Sequence, residues 1–320
     1  MKSICLIIPY FGKFKNYFQL FLNSCQNNPT VKWLIFTDNE ERYFYPQNVD
    51  VIIISFDEFK KIIEDSLGYR TALNTPYKLC DFKPAYGEVL KAYIKDYDFW
   101  GYCDCDLIFG NIRKFITDEI LDKNDRIFTR GHLSIFRNIE SVNKYYREQS
   151  YFSFKDIAQS PNSYSFDEWR GTSKAWQLDN KRYYDELVMD DIIVGYDGLF
   201  PTKRWGGCFS PYNSSNINES KKYKTYNKIY YTFDNGTLER KWIQSNRQYK
   251  EEILYIHLQK RKMEVASNLD RDCNSFDIID NSFVEYKDMD ISEQKRRVDG
   301  WTLRNTLLEV KVNVRQFLPF

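Results

Sequence analysis

The stretch Tyr97-Asp-Phe-Trp-Gly-Tyr-Cys-Asp104-Cys-Asp106-Leu-Ile-Phe-Gly110 guides the interpretation of the whole chain. Its aromatic and apolar residues, bounded by charged residues and a glycine, predict a buried β-strand. Side chains two residues apart on a strand point to the same side, so Asp104 and Asp106 are expected to project together from the strand end. The stretch therefore predicts a buried strand that presents two carboxylates.

Two neighbouring carboxylates in an apolar segment need a positive partner, because they repel each other and are costly to desolvate. Their hard oxygen ligands suit Mg²⁺ or Mn²⁺, so one interpretation of Asp104 and Asp106 is a divalent cation site. The alternative is a polar loop with two solvated aspartates. Cys103 and Cys105 are interpreted as small core residues, because no second pair of cysteines or histidines at zinc-ligand spacing accompanies them.

Composition narrows the class of protein. A length of 320 residues suits one large domain or two small ones. The 46 basic and 45 acidic residues give a formal net charge of +1, which argues against nucleic-acid binding. No uncharged apolar run reaches the roughly 18 residues of a membrane-spanning helix. Seven cysteines without paired spacing indicate free thiols in a reducing cytoplasm.

The first third of the chain alternates between strand and helix patterns. Such alternation is typical of βαβ units, and it predicts an α/β fold with a mostly parallel sheet and helices on both faces. Ser55 or Asp57 is a plausible cap for the second helix. The patterns place strands at 3–9, 31–39 and 49–54 and helices around 14–22 and 59–67.

Ligands of open α/β sheets bind beyond the carboxyl ends of the strands. Asp104 and Asp106 are expected at that edge, in one crevice with the polar or turn residues that follow the first two strands. Neither G-x-G-x-x-G nor a P-loop occurs, which disfavours Rossmann cofactors and P-loop nucleotides. The residues that follow the first two strands are Tyr10, Phe11, Gly12, Thr37, Asp38 and Asn39.

A lysine-rich element, Tyr77 to Gly87, precedes the aspartate strand. Pro84 suits the first turn of a helix. Lys78 and Lys83 would then lie near a helix N-terminus, where a cation is unfavourable unless an anion is present. Lys83 is therefore either a contact to a phosphate or donor sugar, or a solvated surface lysine.

Two further acidic pairs interrupt less regular sequence. Asp167 and Glu168, beside Trp169, lie in a segment of about 150–180 that predicts either a loop binding a second sugar or an exposed insertion. Asp190 and Asp191 lie within an apolar segment, where buried acids need a cation, a hydrogen-bond network or a catalytic purpose. Asp190 could instead cap a following helix.

The chain has two histidines. His132 lies between two predicted strands and is interpreted as structural. His257 ends a strand-like run and is followed by Lys260, Arg261 and Lys262, which together would suit a metal and a diphosphate. The alternative is a core histidine next to a solvated basic turn.

The remaining sequence is less informative. Asn235-Gly236 predicts a hairpin turn. Residues 266–320 are interpreted as a small helical C-terminal extension with an oligomer or membrane contact, after a main domain at 1–265.

Several of these elements resemble one known family. The stretches K-L-C-D-F-K-P-A-Y-G, W-G-Y-C-D-C-D-L-I-F-G-N-I and I-H-L-Q-K-R-K resemble the GT-A-fold bacterial glycosyltransferases of capsule and lipopolysaccharide assembly. More narrowly, the resemblance is to capsular galactosyl- and glucosyltransferases related to the D-x-D sugar-binding family. It covers about residues 1–265. The chain lacks the glycine and the K-P-W that follow the histidine in related families.

The resemblance implies a UDP-sugar donor and a divalent metal, usually Mn²⁺ or otherwise Mg²⁺. It implies that Asp104 and Asp106 meet the metal and the donor ribose, that His257 completes the metal shell and that Lys260 approaches the diphosphate. The turn at 10–12 and the strand end at 37–39 would hold the nucleoside. Asp190 or Asp191 would lie near the anomeric carbon.

These expectations combine into a metal-dependent hexosyltransferase that acts on a lipid-linked oligosaccharide at the inner membrane face. The resemblance favours retention, whereas inversion would need a base such as Asp167 or Glu168. His132, Asp167, Glu168 and Trp169 are the acceptor-side candidates. Two alternatives stay open: a nucleotidyltransferase that makes sugar nucleotides, and a non-catalytic carbohydrate-binding protein that uses the many aromatic residues.

Overall fold

The computed structural model describes residues 1–168, 171–192, 199, 227–259, 261–269 and 272–299. The chain divides into two compact units that interleave along the sequence. Unit 1 comprises Met1–Phe14, Asn28–Cys105 and Arg113–Glu186. Unit 2 comprises Lys15–Asn27, Asp106–Ile112 and Leu187–Phe320.

Unit 1 is built on a seven-stranded sheet in the order β3–β2–β1–β4–β7–β6–β8. The first four strands in this order pair in parallel, and the remaining strands add two antiparallel pairings and one parallel one. The predicted α/β class and mostly parallel sheet are therefore confirmed. The strands are β1 (Ile4–Pro9), β2 (Val31–Thr37), β3 (Val49–Ile53), β4 (Phe99–Cys103), β6 (Arg126–Ile127), β7 (Leu133–Arg137) and β8 (Tyr183–Tyr184).

The helices of unit 1 are mostly short. The longest, α2, begins with the predicted cap: Ser55 Oγ accepts the Glu58 N–H, and the Glu58 carboxylate accepts the Ser55 N–H. Pro84 lies inside a 3₁₀ helix at Pro76–Ala85, two residues before the α-helical residues begin. The α-helices are α2 (Phe56–Leu67), α3 (Tyr86–Val89), α4 (Lys91–Ile94), α6 (Asp118–Lys123), α7 (Glu140–Asn143), α8 (Tyr145–Glu148), α9 (Phe154–Gln159) and α10 (Thr172–Leu178).

The core of unit 1 is rich in aromatic side chains. Trp100 of β4 is fully buried and stacks on Phe136 of β7, with ring centroids 4.7 Å apart. Phe11 belongs to this core and contacts Phe56 and Phe59. Aromatic side chains bury large areas and stabilise the sheet through such offset pairs.

Unit 2 contains two sheets that the sequence did not predict as sheets. One has three strands, in the order β5–β13–β9, and the other has six, in the order β12–β11–β10–β15–β16–β14. The strands are β5 (Leu107–Phe109), β9 (Asp190–Asp191), β10 (Asn227–Asp234), β11 (Thr237–Gln244), β12 (Arg247–Glu252), β13 (Tyr255–His257), β14 (Glu264–Val265), β15 (Ser275–Ile279) and β16 (Ser282–Glu285). Its helices are α1 (Phe18–Gln26) and α11 (Ile291–Arg297), and α5 (Ile112–Phe115) crosses the unit boundary.

Two predictions for this part of the chain have different outcomes. The Asn235-Gly236 hairpin is confirmed: β10 and β11 pair antiparallel across it, with φ values of 45° and 86° at the two turn residues. Of the described residues after 265, Ile291–Arg297 form a helix as interpreted, whereas β15 and β16 form an antiparallel pair where a helical segment was expected. The residues after 299 lie outside the described part of the chain.

The 97–110 stretch divides into two strands rather than one. β4 ends at Cys103 and β5 begins at Leu107, so the aspartates occupy the link between them. The boundary between the two units falls between Cys105 and Asp106. Both cysteines are buried, as their interpretation as core residues requires. Among the described helices, none is long and apolar enough to cross a membrane.

Candidate functional site

The carboxyl ends of β1 and β2 form a polar edge in unit 1. The Gly12 N–H donates to Asp38 Oδ1 at 2.6 Å, and the Asn39 side-chain amide donates to the Gly12 carbonyl at 3.1 Å. Thr37 Oγ1 accepts the Asn39 N–H at 3.1 Å. Gly12 adopts a φ of 100°, which favours glycine, so this turn depends on the residue at that position. The predicted proximity of the first two strand ends is present.

An open depression of about 500 Å³ adjoins this edge. Tyr10, two residues before Gly12, stacks on Phe14, with ring centroids 4.8 Å apart. Phe11 points instead into the core and is 9% exposed. The Phe11 side chain therefore does not face a ligand at this edge of the sheet. The depression is lined by Gly12, Lys13, Asp38, Asn39, Glu40 and Glu41.

Lys83 lies at the centre of a second group in unit 1. Its Nζ is 2.8 Å from Asp104 Oδ1, 3.2 Å from Asp167 Oδ2 and 2.8 Å from the Gly131 carbonyl. The side chain is 14% exposed, so Lys83 is not a solvated surface lysine. This group joins a residue predicted for the donor side, Lys83, to one predicted for the acceptor side, Asp167.

The electrostatics of this group favour a charged lysine. Burial lowers the pKa of Lys83, but Asp104 and Asp167 outweigh it and hold that pKa well above its usual value. Burial raises the pKa of Asp167 to about 7, although Lys83 opposes the shift. Asp167 Oδ1 is buried, and none of the residues that the structure describes donates a hydrogen bond to it. Lys83 therefore holds one carboxylate oxygen, and within the described part of the chain the other has no donor.

A buried ion pair that the sequence analysis missed fixes the segment before Asp167. Asp81 accepts the backbone N–H groups of Tyr164 and Phe166, each at 3.0 Å, and its other oxygen is 3.1 Å from Lys78 Nζ. Lys78 also donates to the carbonyl of Asn162 at 2.6 Å. The only sequence signal was the i, i+3 spacing of a lysine and an aspartate.

Unit 2 carries the other half of the candidate residues on its three-stranded sheet. His257, at the end of β13, pairs with Leu107 on one side and Asp191 on the other. Its Nδ1 is 2.8 Å from Asp191 Oδ1, and its Nε2 is 3.3 Å from Asp106 Oδ1. All three residues are buried. The sheet therefore holds one imidazole between two carboxylates.

This arrangement fits the donor set of a divalent cation. Two ligands at adjacent octahedral positions, each about 2.1 Å from the ion, are about 3 Å apart, which is close to the Asp106–His257 separation of 3.3 Å. A metal-binding histidine commonly pairs its second ring nitrogen with a carboxylate, as His257 does with Asp191. Burial lowers the pKa of His257, but Asp106 and Asp191 raise it to about 10 when no cation is present.

Asp190 has different surroundings from Asp191. Arg240 Nη1 donates to both oxygens of Asp190, at 2.8 and 3.0 Å, and the Tyr231 hydroxyl donates to it at 2.9 Å. Burial raises the pKa of Asp190, and Arg240 opposes that shift. Asp190 belongs to a strand and does not cap a helix. Its oxygens serve a structural ion pair, which leaves Asp191 as the member of the pair beside His257.

The other candidates are placed as follows. The His132 carbonyl accepts the Asp104 N–H at 3.0 Å, so the backbone of His132 supports the aspartate link. Glu168 follows Asp167 and lies against Gly131, where a Cβ would be 2.9 Å from Glu168 Cγ. Gln259, which the sequence analysis did not single out, donates to Asp191. Trp169 and Lys260 lie outside the described residues.

Comparison with known proteins gives one family match. The sequence model of a family of unknown function, DUF6625, matches residues 6–287. No curated protein matches the sequence.

Among solved structures, several glycosyltransferases are similar to this fold. They include the galactosyltransferase LgtC in complex with donor and acceptor sugar analogues, at 10% identity over 58% of this chain and 75% of that chain, with a TM-score of 0.35. Apo mouse xyloside xylosyltransferase 1 is similar at 10% identity over 60% of this chain and 88% of that chain, with a TM-score of 0.35. The glycosyltransferase GlyE of Streptococcus pneumoniae TIGR4 is similar at 10% identity over 57% and 44%, with a TM-score of 0.25.

Proposed function

We propose that this chain, which belongs to the family of unknown function DUF6625, is a metal-dependent glycosyltransferase that moves a hexose from a UDP-sugar to a saccharide acceptor. The observation that carries the proposal is the arrangement of Asp106, His257 and Asp191 in unit 2. Buried imidazole and carboxylate groups at ligand separation need a cation or a proton to be stable together. The resemblance of the D-x-D stretch to GT-A glycosyltransferases supports the same assignment.

Asp104, Asp106 and His257 are the proposed ligands of Mn²⁺ or Mg²⁺. Asp104 comes two residues before Asp106 in the sequence. Asp191 would orient the His257 imidazole through its contact with Nδ1. When bound, the cation supplies positive charge that stabilises the departing UDP.

The donor is proposed to lie along unit 1. The turn at Gly12 and the strand end at 37–39 offer backbone and carboxylate groups to the nucleoside. Lys83 is a buried, charged donor held by Asp104 and Asp167, and it suits a sugar hydroxyl or a phosphate oxygen. Lys260 is proposed for the diphosphate on the resemblance alone.

The acceptor assignment rests on the resemblance and the sequence. We propose a lipid-linked oligosaccharide of surface polysaccharide synthesis, met at the cytoplasmic face of the membrane, with galactose or glucose as the transferred sugar and retention as the stereochemical outcome. Asp191 is favoured over Asp190 as the carboxylate near the anomeric carbon, because Arg240 and Tyr231 occupy Asp190. His132, Asp167, Glu168 and Trp169 remain the acceptor-side candidates.

The test is release of UDP from UDP-galactose and UDP-glucose, with and without Mn²⁺. We expect metal-dependent hydrolysis in the wild type and its loss when Asp104→Ala and Asp106→Ala are combined. Asp57→Ala, at an exposed position in the first turn of α2, is the matched control and should retain full activity. Full activity in the double variant would refute the proposed site.

Two other measurements would indicate the alternatives, a nucleotidyltransferase or a carbohydrate-binding protein. Release of pyrophosphate from a nucleoside triphosphate and a sugar phosphate would indicate a nucleotidyltransferase. Binding of glycans without any affinity for UDP would indicate a carbohydrate-binding protein.

A further inference from the structure

Arg126 of β6 is an unusual buried cation in unit 1. It is 0% exposed, and none of the residues that the structure describes provides a carboxylate within ion-pair distance of its guanidinium. The guanidinium carbon lies 5.0 Å from the Phe136 ring centroid and 5.9 Å from that of Trp176. Burial lowers the pKa of Arg126. A buried charge without an opposite charge is costly, so its hydrogen bonds must offset that cost.

Those hydrogen bonds converge on one turn. Arg126 Nε donates to the Phe128 carbonyl at 2.8 Å, and its Nη2 donates to the hydroxyls of Ser173 at 2.9 Å and Ser134 at 3.3 Å. Ser173 Oγ in turn donates to the Thr129 carbonyl at 3.0 Å. Ser134 Oγ is within hydrogen-bond distance of the Phe128 carbonyl, at 3.1 Å, and of the Arg130 carbonyl, at 2.9 Å.

The turn that is held in this way is strained. Phe128 has a φ of 63°, in the left-handed region that bulky residues rarely adopt. Such a conformation persists only where the surroundings enforce it. The carbonyls of residues 128, 129 and 130 are all engaged by Arg126 or by the two serines it contacts. The network therefore holds the carbonyl side of the turn that leads into Gly131, while Tyr184 and Asp185 accept the N–H groups of residues 128 and 129.

The next two carbonyls support the proposed donor site. Gly131 accepts Lys83 Nζ at 2.8 Å, and His132 accepts the Asp104 N–H at 3.0 Å. Packing leaves little freedom here, because a Cβ on Gly131 would be 3.0 Å from Asp167 Oδ2. A displacement of the turn would move the carbonyl that holds Lys83 between its two carboxylates.

We propose that Arg126 is a positioning residue: by holding the 128–130 turn, it places the Gly131 carbonyl that fixes Lys83 between Asp104 and Asp167. Arg126 acts through the backbone and does not touch the substrate. The inference depends on the proposed function in one respect: Lys83 is taken to be a residue of the donor site.

The variant Arg126→Met tests this, because methionine retains much of the apolar volume but cannot donate hydrogen bonds. Arg137→Met is the control: Arg137 lies on neighbouring β7 and stacks on Phe99, but it pairs with Asp125 and donates to the carbonyls of residues 121, 122 and 124 instead. The first readout is acylation of Lys83 by acetic anhydride, followed by peptide mass spectrometry. We expect Arg126→Met to raise the acylation rate by about tenfold or more through loss of the fixed geometry, whereas Arg137→Met leaves it unchanged.

The second readout is a double-mutant cycle with Lys83→Ala in the UDP-sugar hydrolysis assay. If Arg126 acts through Lys83, Arg126→Met lowers kcat in the wild-type background and has no further effect in the Lys83→Ala background. Additive losses, or unchanged Lys83 acylation, would overturn the proposal. If Arg126→Met does not fold, Ser173→Ala takes its place with the same expected and opposing outcomes. Acylation needs no turnover, so failure of the proposed function would leave this test intact.

Discussion

Asp190→Asn and Asp191→Asn change adjacent carboxylates, yet we expect opposite phenotypes. Asp190 and Arg240 are each at least nine-tenths buried, and Asp190 accepts two bonds from Arg240 and one from Tyr231. Removing one partner of a buried ion pair costs about 3–5 kcal/mol. Arg240 keeps a second partner in Glu251, which is largely exposed, so the low end of that range, about 3 kcal/mol, is expected for Asp190→Asn.

Asp191→Asn should act on metal affinity instead. Its carboxylate contacts His257 Nδ1 at 2.8 Å, and loss of such a supporting carboxylate typically lowers metal affinity by about 10- to 100-fold. The free energy of unfolding should fall less than for Asp190→Asn, because the His257 imidazole keeps Asp106 as a second buried partner.

The assay pairs urea denaturation with a Mn²⁺ titration of UDP-sugar hydrolysis for each variant. Asp190→Asn should unfold at lower urea concentration with a near-normal Mn²⁺ response, and Asp191→Asn should show the reverse. Equal stability losses, or a weakened Mn²⁺ response in Asp190→Asn alone, would refute the distinction between the two carboxylates.

Three further predictions concern stability. Burial raises the pKa of Asp277 to about 6, so the folded state binds the proton of this carboxyl group more tightly than the unfolded state does. The contribution of the protonated Asp277 to stability therefore falls as the pH rises from about 4 to 6. Asp277→Asn should remove this pH dependence, at most about 3 kcal/mol, from the free energy of unfolding measured in urea between pH 4 and 8. Gly236→Ala should cost about 1 kcal/mol or more, because φ is 86° and the new Cβ would lie 3.0 Å from Asn27 Cβ; thermal melts against the exposed Asp57→Ala would check this, and an unchanged midpoint would contradict it. Ser55→Ala should cost about 1 kcal/mol through loss of the α2 cap, and Ser55→Asp should recover most of it in the same melts.

Much of unit 1 could be predicted because its signals are local. Apolar runs between turn residues identified β1, β2 and β3, and the rule that ligands bind beyond parallel strand ends brought Gly12 and Asp38 together. The Lys83–Asp167 contact could not be predicted, because it joins residues far apart in sequence through the buried Asp81 and its two backbone partners. Nothing in the local pattern of the 160–168 segment indicates that it is anchored.

The sheets of unit 2 were missed for a different reason. β11 contains Arg240 and Lys241, which are buried although charged residues normally mark exposed positions. The partners of these two residues lie partly on other strands and partly in the aromatic rings of Tyr230 and Trp242, so β11 shows no simple alternation of polar and apolar residues. The same limit applies to Asp190 and Asp191, because the sequence pattern did not indicate which of the two carboxylates pairs with Arg240 and which contacts His257.

Calorimetric titration with UDP, with and without Mn²⁺, measures whether this chain binds a nucleoside diphosphate through a metal. We expect UDP to bind the wild type only when Mn²⁺ is present, Asp106→Asn to abolish this binding and Asp57→Asn to leave it unchanged. Equal UDP affinity without metal, or Asp106→Asn binding UDP as tightly as the wild type does with Mn²⁺, would contradict this expectation.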